Sequence, residues 1–266
     1  MQSILKLFIA LSIVFVLVTR SAGAQAINSG VYKWADAPIT KKAGSEQRIL
    51  LEGFTVDFRR FKIHATTLPA HQAPHPAHHH PDEELIIIKE GQLTVTIAGK
   101  TKTLGAGSIA LMMPGDEHGF DNKSDAPATY YVMRYESKEA SDSARGQKAG
   151  GSFWVDWNDV AFQASTKGGI RRMFDRTTAM IKRFEMHVTT LNEGLWSHPP
   201  HTHRAAEILL LIDGTAQESI DGTLHPATVG DLIFLESNVP HAIQNTSRTA
   251  PADRKTSCTY FAFQFE

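Results

Sequence analysis

The chain has 266 residues, a formal net charge of −1 and a single cysteine, Cys258. Near-neutral charge without a basic stripe argues against a nucleic-acid partner, and one cysteine excludes an intrachain disulfide. The length accommodates two domains of about 100 residues each.

In chain order, Met1–Lys6 is short and carries one lysine, Leu7–Val18 is an apolar run interrupted only by Ser12, and Ala22-Gly23-Ala24 offers small residues at a cleavage site. This predicts a secretory signal peptide over residues 1–24, a mature start near Gln25, and a secreted or periplasmic protein. The run is shorter than the roughly 20 residues of a spanning helix, so stable membrane insertion after cleavage is not expected. No cysteine follows it to carry a lipid, and no Arg-Arg pair precedes it.

Val31–Ile49 has no clear period. Thr55–Leu68 is rich in β-branched and aromatic residues and reads as strand. Three prolines between His71 and Pro81 exclude a helix there. Leu85–Ile88 is a continuous apolar run, the pattern of a strand buried on both faces. Leu93, Val95 and Ile97 alternate with threonines, Ile109–Met113 is apolar, and Thr129–Met133 closes a first unit, residues 25–140. The polar stretch Glu136–Ser152 reads as an exposed linker or long loop, with the linker itself placed at 141–152. A second unit, 153–266, follows; its Asp221-Gly222 is a hairpin signal, and Cys258–Phe263 reads as strand with the thiol in the core.

The chemistry lies in His78, His80, Glu84 and His118. Residues i and i+2 of a strand share a face, so His78 and His80 can grip one ion. Three imidazoles and a carboxylate suit a divalent transition metal. The set recurs 123 residues later as His201, His203, Glu207 and His241. The same offset links Gly91 with Gly214, Gly107 with Gly230, Asn122 with Asn245, Trp34 with Trp157, Arg60 with Arg183, His64 with His187 and His75 with His198. The chain is an internal duplication. Tyr130 pairs with Tyr260 at a larger offset, which places seven extra residues in a solvated loop between Thr246 and Thr256.

These residues resemble the cupin superfamily, whose first motif is Gly-x5-His-x-His-x3,4-Glu-x6-Gly and whose second is Gly-x5-Pro-x-Gly-x2-His-x3-Asn. The leading Gly of the first motif is missing here. Pro114 is followed at once by Gly115, and Ser237 stands where the second half would carry the proline. The resemblance to a bicupin covers about residues 30–266. It implies an all-β fold of two tandem cupin jelly-roll barrels. It also implies two metal sites per chain, with His78, His80, Glu84 and His118 in one and His201, His203, Glu207 and His241 in the other. The metal is Mn, Fe, Zn, Ni or Cu, with affinity order favouring Cu and Zn. A closed structural zinc site is the bland alternative.

Around the ligands, His75 and His198 read either as proton-transfer residues or as loop residues, and His64 and His187 as hydrogen-bonding groups within the barrel. His71, His79 and His225, which lack equivalents, read as surface. Asp82 and Glu83 sit in a bend that keeps parity from placing them in a cavity. Arg60 and Arg183 read as a solvated barrel face, with binding of an anionic substrate as the alternative. Ile86, Ile88, Leu209 and Leu211 share parity with the ligand glutamates and are expected to line the pockets. By keeping both ligand sets the chain is similar to oxalate decarboxylases and quercetin dioxygenases and departs from pirins. The Glu-x-His-x3-His order of ureidoglycine aminohydrolases is absent. The resemblance implies a metalloenzyme, dioxygenase- or decarboxylase-like, acting on a small oxygen-rich molecule. The alternative is a non-catalytic metal- or sugar-binding cupin. A transcription regulator is excluded by the signal peptide and the lack of a helix-turn-helix. A homo-oligomer is compatible with the sequence.

Overall fold

The computed structural model describes residues 25–42, 44–248 and 256–266. The expected signal peptide, and most of the extra loop before Thr256, lie outside the described residues.

The elements, in order, are β1 (Gly30–Tyr32), β2 (Ile39–Lys42), β3 (Ser45–Gly53), β4 (Phe58–Leu68), β5 (Glu83–Glu90), β6 (Gln92–Ile97), β7 (Lys100–Gly105), β8 (Ile109–Met112), β9 (His118–Asp121) and β10 (Ala128–Ser137). Helix α1 (Ser143–Lys148) follows. Then come β11 (Phe153–Val155), β12 (Gln163–Ser165), β13 (Gly168–Arg176), β14 (Phe184–Leu191), β15 (Ala206–Asp213), β16 (Thr215–Ile220), β17 (Thr223–Thr228), β18 (Leu232–Leu235), β19 (His241–Asn245) and β20 (Cys258–Phe265).

Each half builds a large and a small antiparallel sheet. The first pair has the orders β11-β8-β5-β10-β4-β3-β2 and β7-β6-β9; the second has β1-β18-β15-β20-β14-β13-β12 and β17-β16-β19. The jelly-roll expectation holds in topology. The barrels do not close, however, because the two sheets of each half share no strand.

The continuous apolar strands explain the layering. Ile86 and Ile88 of β5 face the small sheet and pack with Leu93, Val95 and Phe120. Their neighbours Leu85 and Ile87 point the other way, into a core shared with Phe184, Ile208, Leu210 and Phe263 of the second half. The large sheets are therefore packed against each other, and each is covered on both faces, which is why β5 and β15 do not alternate. Phe58 stacks on Phe265 with ring centroids 5.0 Å apart in this central layer. Burial pushes the Cys258 thiol up to about 12, as befits an inert core residue.

The halves also exchange strands. The division at 141–152 separates the two ligand sets but not the two sheets. β1, early in the chain, pairs with β18 through Val31 and Ile233; β11, after the linker, pairs with β8 through Trp154 and Ala110. Each exchanged strand leads into a tryptophan. The Trp34 amide donates to Asp231 at 2.8 Å and the Trp157 amide to Ser108 at 3.0 Å. The rings cover Gly230 and Gly107, whose φ values are +93° and +85°; a Cβ on Gly107 would come within 2.5 Å of the Trp157 ring. Both motif glycines are thus kept by a tryptophan from the other half.

The linker is not a free loop. β10 runs on to Ser137, and α1 is capped by the Asp142 carboxylate, which accepts from the Arg145 amide at 2.9 Å. Arg145 then donates to the carbonyls of Thr178 and Ala179, each at 2.8 Å. Six residues held by side-chain contacts leave no apolar period in the sequence. Glu83, expected in a bend, instead starts β5 and faces the other half. It accepts from the Tyr135 hydroxyl at 2.6 Å, the Thr178 hydroxyl at 2.8 Å and the Met180 amide at 3.0 Å.

Gly107→Ala combines a left-handed backbone with a ring collision and is expected to lower stability by about 2–4 kcal/mol. Gly99→Ala, also at positive φ but with nothing within 4 Å of the new Cβ, should lose only the backbone part, about 1–2 kcal/mol. Urea unfolding midpoints compare the two.

Candidate metal centres

The two ligand sets lie between the large and small sheets of their halves. His118 opens β9 of the small sheet, and Glu84 stands near the start of β5 in the large one. His78 and His80 come from the irregular extended segment between β4 and β5 rather than from a regular strand; the prolines there break the ladder. His78 is nevertheless pinned. Its amide donates to the His118 carbonyl at 2.9 Å, and its carbonyl accepts from the His118 amide at 2.8 Å. Residues paired this way across an antiparallel bridge share a face, so both imidazoles point inward, with His80 two residues on. His201 and His241 form the same bridge, at 3.2 and 3.0 Å.

The imidazole trios match closely. Ring centroids are 5.3, 4.7 and 4.8 Å apart in the first set and 5.2, 4.7 and 4.8 Å in the second. One ring nitrogen from each member lies within 4.8 Å of the others. The glutamates approach from the side. Glu84 Oε2 is 3.1 Å from His80 Nε2 and 4.0 Å from His118 Nε2; Glu207 Oε2 is 3.1 Å from both His203 and His241 Nε2.

The backbone sets the tautomers. Nδ1–H of His80, His118, His203 and His241 donates to the carbonyls of Asp82, Asp116, Ala205 and Val239, at 2.8–2.9 Å. In the neutral ring Nε2 is then a bare lone pair facing a carboxylate lone pair, an arrangement that wants a cation between them. His118 Nε2 and His78 Nδ1 are buried with no partner in the protein. Burial, then the neighbouring His75, lowers His78 to about 4, leaving it neutral and ready to ligate. Burial opposes charge on His80, but the Asp82 and Glu84 carboxylates outweigh it and push this ring up to about 9. Glu207 is drawn down to about 2: burial raises it, and the adjoining His203 and His241 rings, which can carry positive charge, more than reverse that. The donor sets fit a divalent metal in both halves.

A cavity opens onto each set, about 260 Å³ in the first half and about 340 Å³ in the second. His64 and His75 line the first, His187 and His198 the second, so these pairs do face the sites. His75 sits edge-on to His78 at 4.2 Å and His198 to His201 at 3.9 Å. His64 is held down at about 4 by burial. Arg60 and Arg183 are exposed, as expected. The pocket-lining expectation fails for Ile86, Ile88 and Leu211, which parity aims inward but which lie in the packed cores; Leu209 alone lines a cavity.

Several residues of the site carry no motif signal. Asp82 holds Arg134 through two bonds, 2.6 and 2.8 Å, and its Oδ1 is 2.9 Å from His80 Nδ1. Arg134 Nε lies 3.8 Å from Glu84. In the second half these positions are Ala205 and Gln264, with Gln264 Nε2 3.4 Å from His203 Nε2. Buried Glu218 lines the second cavity where the first half has Val95. Burial, then the nearby Glu207, pushes the Glu218 carboxyl well above the usual range. Differences at the repeat offset are the sequence signal that marks Asp82 and Glu218.

Comparison with known proteins agrees with this geometry. Among solved structures, the protein Ylba from E. coli is 15% identical with a TM-score of 0.66, covering 91% of this chain and 93% of that one. An oxalate decarboxylase–formate complex from Lactobacillus farciminis is 12% identical with a TM-score of 0.67, covering 91% and 87%. An oxalate decarboxylase from Bacillus subtilis, described with Mn(II) centres, is 12% identical with a TM-score of 0.65, covering 91% and 78%. At these identities the likeness is one of fold. A sequence search of curated proteins finds no match. The family profile described as "Cupin domain" matches twice, at residues 65–134 and 187–253, together more than half of the chain. The chain belongs to the cupin domain family, as a bicupin.

Proposed function

We propose that this bicupin is an exported metalloenzyme holding two divalent transition-metal ions. His78, His80, Glu84 and His118 would hold one ion, and His201, His203, Glu207 and His241 the other. The observation that carries the reading is the repeated orientation of the imidazoles: Nδ1–H groups tied to backbone carbonyls, Nε2 lone pairs gathered beside a buried carboxylate. Such a metal supplies a Lewis acid to a substrate oxygen or a site for dioxygen. The cavities, of a few hundred Å³, suit a small oxygen-rich molecule in a decarboxylase- or dioxygenase-like reaction, in line with the oxalate decarboxylases among the structural neighbours. The chain's own groups have definite tasks. The carbonyls hold the imidazoles in register. Arg134, anchored by Asp82, puts a guanidinium beside Glu84 in the first site. His75 and His198 stand where a proton can pass between a bound ligand and solvent. Export rests on the apolar run Leu7–Val18 and the Ala22-Gly23-Ala24 site; N-terminal sequencing of protein from the native host should read from about Gln25.

Elemental analysis is expected to find two metal ions per chain in wild type and one in His80→Ala or His203→Ala. A wild type with none removes the metal reading. Asp82→Ala frees Arg134 and withdraws a carboxylate from His80, so metal affinity at the first site should fall by about 10- to 100-fold while the second is unchanged; competition with a chelator measures both. After Mn(II) loading, oxalate is expected to change the magnetic resonance spectrum by displacing exchangeable water. Two spectra indifferent to every small ligand would favour closed structural sites instead.

A further inference from the structure

The two cavities diverge at two positions where the first half is apolar. Val95 on β6 corresponds to Glu218 on β16, and Pro74 to Ser197. Glu218 is 0% exposed, and neither of its carboxyl oxygens makes a well-formed hydrogen bond, the Ala242 amide being its one backbone neighbour of the right polarity. The Ser197 hydroxyl is likewise shielded and unpartnered. Both residues line the second cavity, together with Glu207, Ile243 and Tyr260. A buried carboxyl so poorly partnered is costly to the fold, and the first half shows that valine fills the equivalent place in an otherwise matching sheet. The carboxyl is therefore not kept for folding.

The rest of the second cavity narrows the ligand class. Gln264 replaces Arg134, so no guanidinium lines it. Among the described residues its one lysine, Lys167, stands at the exposed rim with its ammonium donating to the carbonyls of Trp196 and Ser197, at 3.2 and 2.8 Å. Inside the rim, beside the His187 and His198 imidazoles, the cavity presents the Glu218 carboxyl, the Ser197 hydroxyl and the Gln264 amide, whose Nε2 lies 3.4 Å from His203 Nε2. Compared with the first cavity, the second therefore lacks the guanidinium beside the metal-site glutamate and adds a second carboxyl, Glu218. A hydroxyl is both donor and acceptor and satisfies all three groups.

We propose that Glu218 and Ser197 form the recognition subsite of the second cavity for an uncharged, hydroxylated small molecule such as a polyol, a sugar or a phenol. The inference rests on reading this cavity as a ligand site beside a metal centre. It makes the two sites unequal, the first suited to an anion beside Arg134 and the second to a neutral polyhydroxylated partner.

The test is calorimetric titration of metal-loaded protein with D-xylose, glycerol and catechol as neutral probes and oxalate as the anionic one. At least one neutral probe should bind. Glu218→Val, which installs the first half's residue, should weaken that probe by about 10- to 100-fold, the loss of one or two hydrogen bonds. Ser197→Ala should weaken it less, and Glu218→Gln, which still donates and accepts, should keep affinity within about fivefold. Without ligand, Glu218→Val should raise Tm by a few degrees, since a poorly partnered polar group is removed. Failure of all three neutral probes overturns the proposal. So does oxalate binding that is lost in Glu218→Val but kept in Arg134→Gln, and so does a fall in Tm in Glu218→Val with probe affinity unchanged. A wild type that holds no metal would sink the metalloenzyme reading alone, because probe binding and the Tm of Glu218→Val in metal-free protein still decide the subsite.

Discussion

The packing of one large sheet against the other governs the rest of the molecule. A half with a single large sheet and a three-stranded cover would leave an apolar face, with Phe58, Phe61, Leu85 and Tyr135, open to water. The duplicate supplies an equivalent face, with Phe184, Ile208, Phe263 and Phe265, and the two close into one core. Because that layer carries the apolar burial, the space between each large sheet and its small sheet is free to hold polar groups. Imidazoles, glutamates and a cavity occupy it where a lone barrel would need more side-chain packing.

Strand exchange makes the pairing mutual. β1 completes the second sheet and β11 the first, each followed by a tryptophan that lies on the motif glycine of the other half. Glu83 adds a buried polar clasp to Tyr135, Thr178 and Met180 one residue before the ligand Glu84. Strand alternation sends these neighbours in opposite directions, one to the interface and one to the site. The metal face and the interface are thus set by the same few residues of β5, and disturbance of one should reach the other.

The duplication copied the ligands with fidelity and the surroundings without it. The imidazole spacings agree to about 0.1 Å between halves, yet Asp82, Arg134, Val95 and Pro74 face Ala205, Gln264, Glu218 and Ser197. A common chemical centre in two different walls is a simple route to two ligand preferences in one chain.

Much of this was written in the sequence. A constant offset of 123 residues exposed the duplication, the run at Leu85–Ile88 declared a strand covered on both faces, and His-x-His with a following Glu picked out the residues that the structure gathers. These signals are local: strand parity and short spacings act within a few residues and survive in any fold that uses the strand. What only the tertiary structure decided is long-range. Nothing near Val31 or Trp154 says which sheet it completes: Val31 pairs with Ile233, near the other end of the chain, and Trp154 with Ala110, across the linker. Parity aimed Ile86 and Ile88 inward but could not say at what depth the core ends and the cavity begins. The partners of Arg134, and the lack of a side-chain partner for Glu218, depend on which side chains other strands bring within about 3 Å, a distance that the order of residues along the chain does not encode.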